Sequence, residues 1–158
     1  MIYRRATLKD IDELVECRLE MRLEREAGNM AMGIEEFRSR NYDYFKNHLP
    51  DNSFISWIAL DEGNIVATSG LCFFSAPPTF SNPSGNTAYV MNIYTKPGYR
   101  NRGLASKLMG HIIREAKSRK CGKLTLHASD MGRPIYEKLG FRNVGGNMEL
   151  YVDEASIV

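Results

Sequence analysis

The residues best suited to chemistry lie between Asn92 and Met109, in the run NIYTKPGYRNRGLASKLM. It reads as strand, proline-glycine breaker, basic turn, glycine and helix. The start of a helix leaves several main-chain N–H groups without partners and carries partial positive charge. Such a terminus holds phosphate. Arg100 and Arg102 add charge and directed donors. Gly103 lets the main chain approach oxygen atoms that a Cβ would keep away, and Ala105 keeps the first turn narrow. Arg100, Asn101, Arg102, Gly103, Leu104 and Ala105 are therefore a candidate cradle for a small phosphorylated ligand. The segment matches neither GxxxxGK[ST] nor GxGxxG. Strand-turn-helix junctions also use glycine and arginine merely to turn and stay solvated, so spacing alone leaves both readings open.

Other chemistries find less support. The 158 residues include 21 basic and 19 acidic ones, so no excess charge calls for nucleic acid. Cys17, Cys72 and Cys121 are few and far apart, which suggests reduced thiols and a cytoplasmic setting. Cys121 has no paired histidine and acid motif that would make it a nucleophile. His48, His111 and His127 share no metal-ligand spacing, and there is no CxxC or HExxH, so no metal is expected. No run approaches the ~20 apolar residues of a membrane span. The start, MIYRRATLKDIDE, lacks the apolar stretch of a signal peptide.

The elements that must position the cradle follow from periodicity. Ile2–Arg5 reads as a strand, and Thr7 with Asp10 as a capping box. Helical spacing runs from Leu8 to about Glu26, and a loop covers Ala27–Gly33. A second helix runs from Ile34 to about His48. Strands follow at Ser53–Leu60 and Ile65–Phe74, joined by a turn at 61–64. The loop Ser75–Thr87 leads to a strand at Ala88–Thr95. A helix with one wide apolar face runs from Leu104 to near Lys120. Then come a strand at Lys123–His127, a short helix at Pro134–Leu139 closed by Gly140, and a strand at Met148–Val152. The order β-α-α-β-β-β-α-β-α-β predicts a single α+β domain over 1–158, with a mixed central β-sheet flanked by helices on both faces.

Two motifs together carry a resemblance. Arg100, Gly103 and Ala105 fill the defined positions of (Arg/Gln)-x-x-Gly-x-(Gly/Ala), and Pro97 precedes them. About 30 residues on, beyond one helix and one strand, stands Ile135-Tyr-Glu-Lys-Leu-Gly-Phe141. In this pairing the chain resembles the GNAT acetyltransferases, with a good match from Ala88 to Phe141 and only element order before that. By itself the second motif reads as a packed helix, with Ile135, Leu139 and Phe141 as core.

The resemblance implies a GNAT-like fold and acetyl-CoA as cosubstrate. It makes the cradle the site of the pyrophosphate. It has Ile93 and Thr95 offer main-chain groups to the pantetheine arm. It makes Tyr136 the general acid toward the leaving thiolate, a role a phenol with pKa near 10 can fill. Ser129 stands where relatives often carry asparagine, and is expected to contact the cofactor with a shorter reach. The reaction implied is direct attack by a primary amine in a ternary complex. The strand Ala88–Thr95 contains no carboxylate to serve as base. Asn92 and Tyr94 could order a water, and Glu24, Glu26, Asp43 and His127 are alternatives.

The expected partners are acetyl-CoA and an amine acceptor, with no nucleic acid and no membrane; a homodimer is left open. Glu24, Glu26, Glu35 and Glu36 hint at a cationic amine, or form a solvated helix face. Three functions remain: N-acetylation of a small-molecule amine, N-acetylation of a protein or peptide, and acyl-CoA sensing without catalysis.

Overall fold

The computed structural model describes residues 1–26, 31–146 and 148–149. They belong to two units, Met1–His127 and Ala128–Val158. The first contains β1 (Ile2–Arg5), α1 (Ile11–Glu26), α2 (Ile34–His48), β2 (Phe54–Asp61), β3 (Asn64–Ser75), β4 (Asn86–Thr95), α3 (Leu104–Ser118) and β5 (Lys123–Leu126). The second contains α4 (Arg133–Lys138). The expected order is found as far as α4. Of the strand expected at Met148–Val152, all but Met148 and Glu149 lies outside the described residues, and those two are in no strand. Residues 27–30 of the expected Ala27–Gly33 loop also lie outside them.

The five strands form one sheet in the order β1-β2-β3-β4-β5. β1 to β4 pair antiparallel, and β5 lies parallel to β4. The sheet is therefore mixed, as expected. The turn read at 61–64 tightens to Glu62-Gly63, with φ of 49° and 86°. Positive φ at both central residues matches the twist of the flanking strands. β4 starts at Asn86, two residues before the expected Ala88, because Ser75↔Asn86 still pairs with β3.

Alternation along β2 assigns the helices to faces. Phe54, Ile58 and Leu60 pack with Ile11, Leu14, Val15 and Met21 of α1 and Phe45 of α2. Ala59, with Trp57 against it, packs with Leu104 and Leu108 of α3. Residues of opposite parity serve opposite faces, so α1 and α2 cover one side and α3 the other. On the α3 side Glu115 accepts from Trp57 Nε1 at 3.0 Å and from the Arg5 guanidinium. No described helix is long and apolar enough to cross a membrane.

The entry to α1 is held by a buried carboxylate. Asp10 accepts from the Thr7 main-chain N–H at 2.7 Å, the return bond of the expected capping box. It also takes both Nη groups of Arg4 at 2.7 and 2.8 Å. The Arg4 hydrogen bonds hold its carboxyl below the usual range, against the opposing effect of burial. A carboxyl whose folded pKa is depressed contributes stability in full above its unfolded value, about 3.9. That contribution is lost as pH falls through the lower folded value. Asp10→Asn is expected to cost roughly 1–2 kcal/mol at pH 7, several degrees in melting temperature. The gap between variant and wild type should shrink below about pH 4; thermal melts from pH 7 to pH 2.5 would check this.

Candidate functional site

β4 outruns its neighbour β5. β5 pairs with it only from Thr87↔Lys123 to Val90↔Leu126. From Met91 to Thr95, β4 continues with no described strand on that side. On the other side the β3 register slips between Thr68 and Gly70. The extra residue falls at Asn92, which has φ of 54°. Asparagine tolerates this region better than most residues. Such a bulge bends and twists its strand. Thr68 Oγ1 donates to the Asn92 carbonyl at 2.9 Å, and Arg18 Nη1 donates to its side-chain oxygen. The half-buried Ile93 and Thr95 lie on this open stretch.

The cradle follows at once. A 3-10 turn at Pro97–Tyr99 leads into Asn101 (φ 62°) and Gly103 (φ 75°), the N-cap of α3. Gly103 makes no side-chain cap, and an added Cβ would meet nothing within 4 Å. Among the described residues, no main-chain N–H from Asn101 to Ser106 donates to another protein group, whereas Lys107 N–H reaches the Gly103 carbonyl at 3.1 Å. A run of such amides around left-handed residues makes a concave anion site. Leu104 is buried and anchors the turn, while Asn101, Arg102 and Gly103 are exposed.

The two arginine side chains are engaged elsewhere. Arg100 Nε donates to the Thr95 carbonyl at 3.0 Å, and its Nη2 to both Glu24 oxygens at 2.8 and 2.7 Å. Arg102 donates to the Gly98 carbonyl at 2.9 Å and lies 5.0 Å from the Tyr99 ring centroid. Arg100 thus braces the turn against α1 and the end of β4, and the groups left without a described protein partner in this turn are its amides.

The base candidates sort by partner. Glu24 is held by Arg100, and Glu26 by Arg22. Asp43 and His127 are exposed. The buried Tyr94 hydroxyl donates toward Glu20 at 3.1 Å and Glu24 at 3.2 Å. Burial, reinforced by Glu20, pushes its phenol well above the usual range, so it stays a donor. Glu20 is half-buried and is the carboxylate here without an arginine among the described residues. Sequence reasoning passed over it; the available signal was its i, i+4 spacing to Glu24 on one helix face. Burial raises the Cys121 thiol pKa, which lowers its thiolate character. A groove of about 640 Å³ bordered by Asp12, Glu16, Glu35, Arg38, Tyr42 and Lys96 includes none of the cradle residues.

In the second unit, Ser129 organises the turn into α4. Its hydroxyl accepts from Gly132 N–H at 3.2 Å, and its carbonyl from Arg133 N–H at 2.9 Å. Pro134 sits in the first turn, where its missing N–H costs little. Tyr136 is buried, 6.0 Å edge-on from Phe141 between ring centroids. A Cβ on Gly132 would come within 2.8 Å of the Tyr136 ring and 3.2 Å of its hydroxyl, so the glycine makes room for the phenol.

Known proteins are similar to this chain. The family model described as Acetyltransferase (GNAT) family matches residues 17–141. A predicted acetyltransferase from Clostridium acetobutylicum, solved with acetyl-CoA, is 36% identical and superposes with a TM-score of 0.84 over 95% of both chains. Among curated proteins, glucosamine 6-phosphate N-acetyltransferase of Trypanosoma brucei brucei is 31% identical over 80 residues, which cover 51% of this chain and 52% of that protein. Thialysine N-epsilon-acetyltransferase of Bos taurus is 30% identical over 86 residues, 52% of this chain and 48% of that protein. The chain thus spans about half the length of the curated relatives it matches. With a family model running from α1 to Phe141 and a solved relative that matches nearly end to end, the chain belongs to the acetyltransferase (GNAT) family.

Proposed function

We propose that this protein is an acetyl-CoA-dependent N-acetyltransferase acting on the primary amine of a small molecule. One observation carries the reading: β4 runs on past its last pair with β5, at Val90, and the same strand leads into a turn whose amides from Asn101 to Ser106 have no described protein partner. An extended pantetheine arm can pair with main chain at Ile93 and Thr95 as an added strand would. The amides of Asn101 to Ala105 suit the pyrophosphate.

The acceptor nitrogen must be neutral to attack the thioester carbonyl. Glu20 is the carboxylate placed to take its proton, directly or through water, because Arg100 and Arg22 neutralise Glu24 and Glu26. The C–N bond forms, the C–S bond breaks, and the thiolate takes a proton from Tyr136. Ser129 is assigned to the cofactor side through its hydroxyl, which accepts from Gly132 N–H and keeps its own proton to donate. The roles of Tyr136 and Ser129 rest on the motif around them. The named acceptors of the curated relatives, glucosamine 6-phosphate and thialysine, favour a small molecule over a protein.

Two measurements test the proposal. Calorimetry should show binding of coenzyme A. Thiol release from acetyl-CoA should then depend on an added amine, across amino acids, amino sugars, polyamines, aminoglycosides and peptides. Coenzyme A binding without amine-dependent thiol release from any of them would instead support a sensor.

A further inference from the structure

The acidic residues that hinted at a cationic acceptor are neutralised within the fold. Glu24 pairs with Arg100, Glu26 with Arg22, Glu35 with Arg38 and Glu36 with Arg40. Arg18 is the reverse case. It is half-buried on α1, and no described carboxylate lies within ion-pair distance of it. Its guanidinium is fixed by two neutral amide oxygens, Asn41 Oδ1 at 2.7 Å and Asn92 Oδ1. Asn41 is itself pinned to the Phe37 carbonyl at 2.8 Å. A guanidinium has five N–H donors and these bonds use two, so three have no described protein partner. Burial lowers the Arg18 pKa and Arg22 one turn on lowers it further, against smaller opposing effects of Tyr44, Glu26 and Cys72.

Position gives this charge a purpose. Asn92 is the bulge residue of β4, two residues beyond the last pair with β5. A cation desolvated beside the open stretch costs free energy unless something answers it. A neutral donor would serve as well merely to hold the Asn92 side chain. Arginine presents a planar fork matched to a carboxylate or phosphate. Tyr94, with Glu20 and Glu24, lies two residues further along the same strand.

We infer that Arg18 anchors an anionic group on the acceptor, so that the substrate is an amine carrying a carboxylate or phosphate. This rests on the acetyltransferase reading above and narrows it. The anion docks on the Arg18 donors that have no described protein partner, and the amine points along β4 toward Glu20. Polyamines and aminoglycosides, which carry only positive charge, are poor acceptors.

Matched pairs of amines provide the test: β-alanine against β-alaninamide, and 2-aminoethyl phosphate against ethanolamine. For the wild type, kcat/KM from thiol release should favour the anionic member of at least one pair by about tenfold or more. Which pair responds tells carboxylate from phosphate. In Arg18→Gln that preference should collapse toward unity, through a rise in acceptor KM, with the KM for acetyl-CoA little moved. Arg18→Lys, with its charge but no fork, should retain part of it. Thiol release that ignores the anion in the wild type overturns the inference and leaves the acetyltransferase reading standing, even if the variants fail to fold. So does a loss in Arg18→Gln that is equal for both members of each pair, which marks Arg18 as a structural pin of Asn92. No thiol release with any amine overturns both.

Discussion

Tyr136→Phe is expected to lower kcat by roughly 10²- to 10⁴-fold while changing the KM for acetyl-CoA by less than about threefold. The substitution removes one oxygen and keeps the ring. Tyr136 is buried against Phe141, and the space around its hydroxyl exists because residue 132 has no side chain. Packing is therefore preserved, and the loss falls on proton donation to the departing thiolate. The effect should grow with the basicity of the leaving group. A thioester of a more acidic thiol needs less help, so the variant should recover part of its rate with it. Equal turnover in wild type and variant would mean that the proton comes from elsewhere.

Gly103→Val is expected to weaken coenzyme A binding by about tenfold or more, read by calorimetry. Gly103 sits at φ 75°, where an L-residue pays about 1–2 kcal/mol and a β-branched one is least tolerated. The wild-type turn leaves open space where a Cβ would stand, with no protein atom within 4 Å. The Cβ of the new side chain meets no protein atom beyond the adjoining residues, and melting temperature should fall mainly by the main-chain strain. It does crowd the approach to the amides of Asn101–Ser106, or forces φ to change and turns them away. A loss of affinity well beyond the loss of stability is the signature of a ligand at this turn. Parallel losses would show that Gly103 only shapes the loop.

The wide apolar face of α3, the capping box at Thr7 and Asp10, and the strand-breaker-helix run at the cradle were all legible in the chain. Each rests on neighbours within a few residues, where periodicity and turn chemistry decide. The same is true of Gly140, whose φ of 90° closes α4 as its place after Leu139 implied. The partners of Arg100 were not legible. Its sequence neighbours point to a phosphate, yet Glu24, 76 residues away, takes its Nη2. Nor could the chain tell that Glu24, Glu26, Glu35 and Glu36 would each find an arginine while Arg18 has no carboxylate partner among the described residues.

Local order along the backbone determined which elements form, and so the mixed sheet with helices on both faces and the glycine turn that opens α3. Tertiary structure alone decided how far β4 runs on past its pairing with β5, that the bulge falls at Asn92, and which helical charge has no carboxylate partner among the described residues. The reason is range. A turn or a cap depends on a handful of adjacent dihedrals. How far β4 outruns its neighbour, and a guanidinium with no described carboxylate partner, depend on how α1, α2 and the strands, far apart in sequence, come to lie against one another.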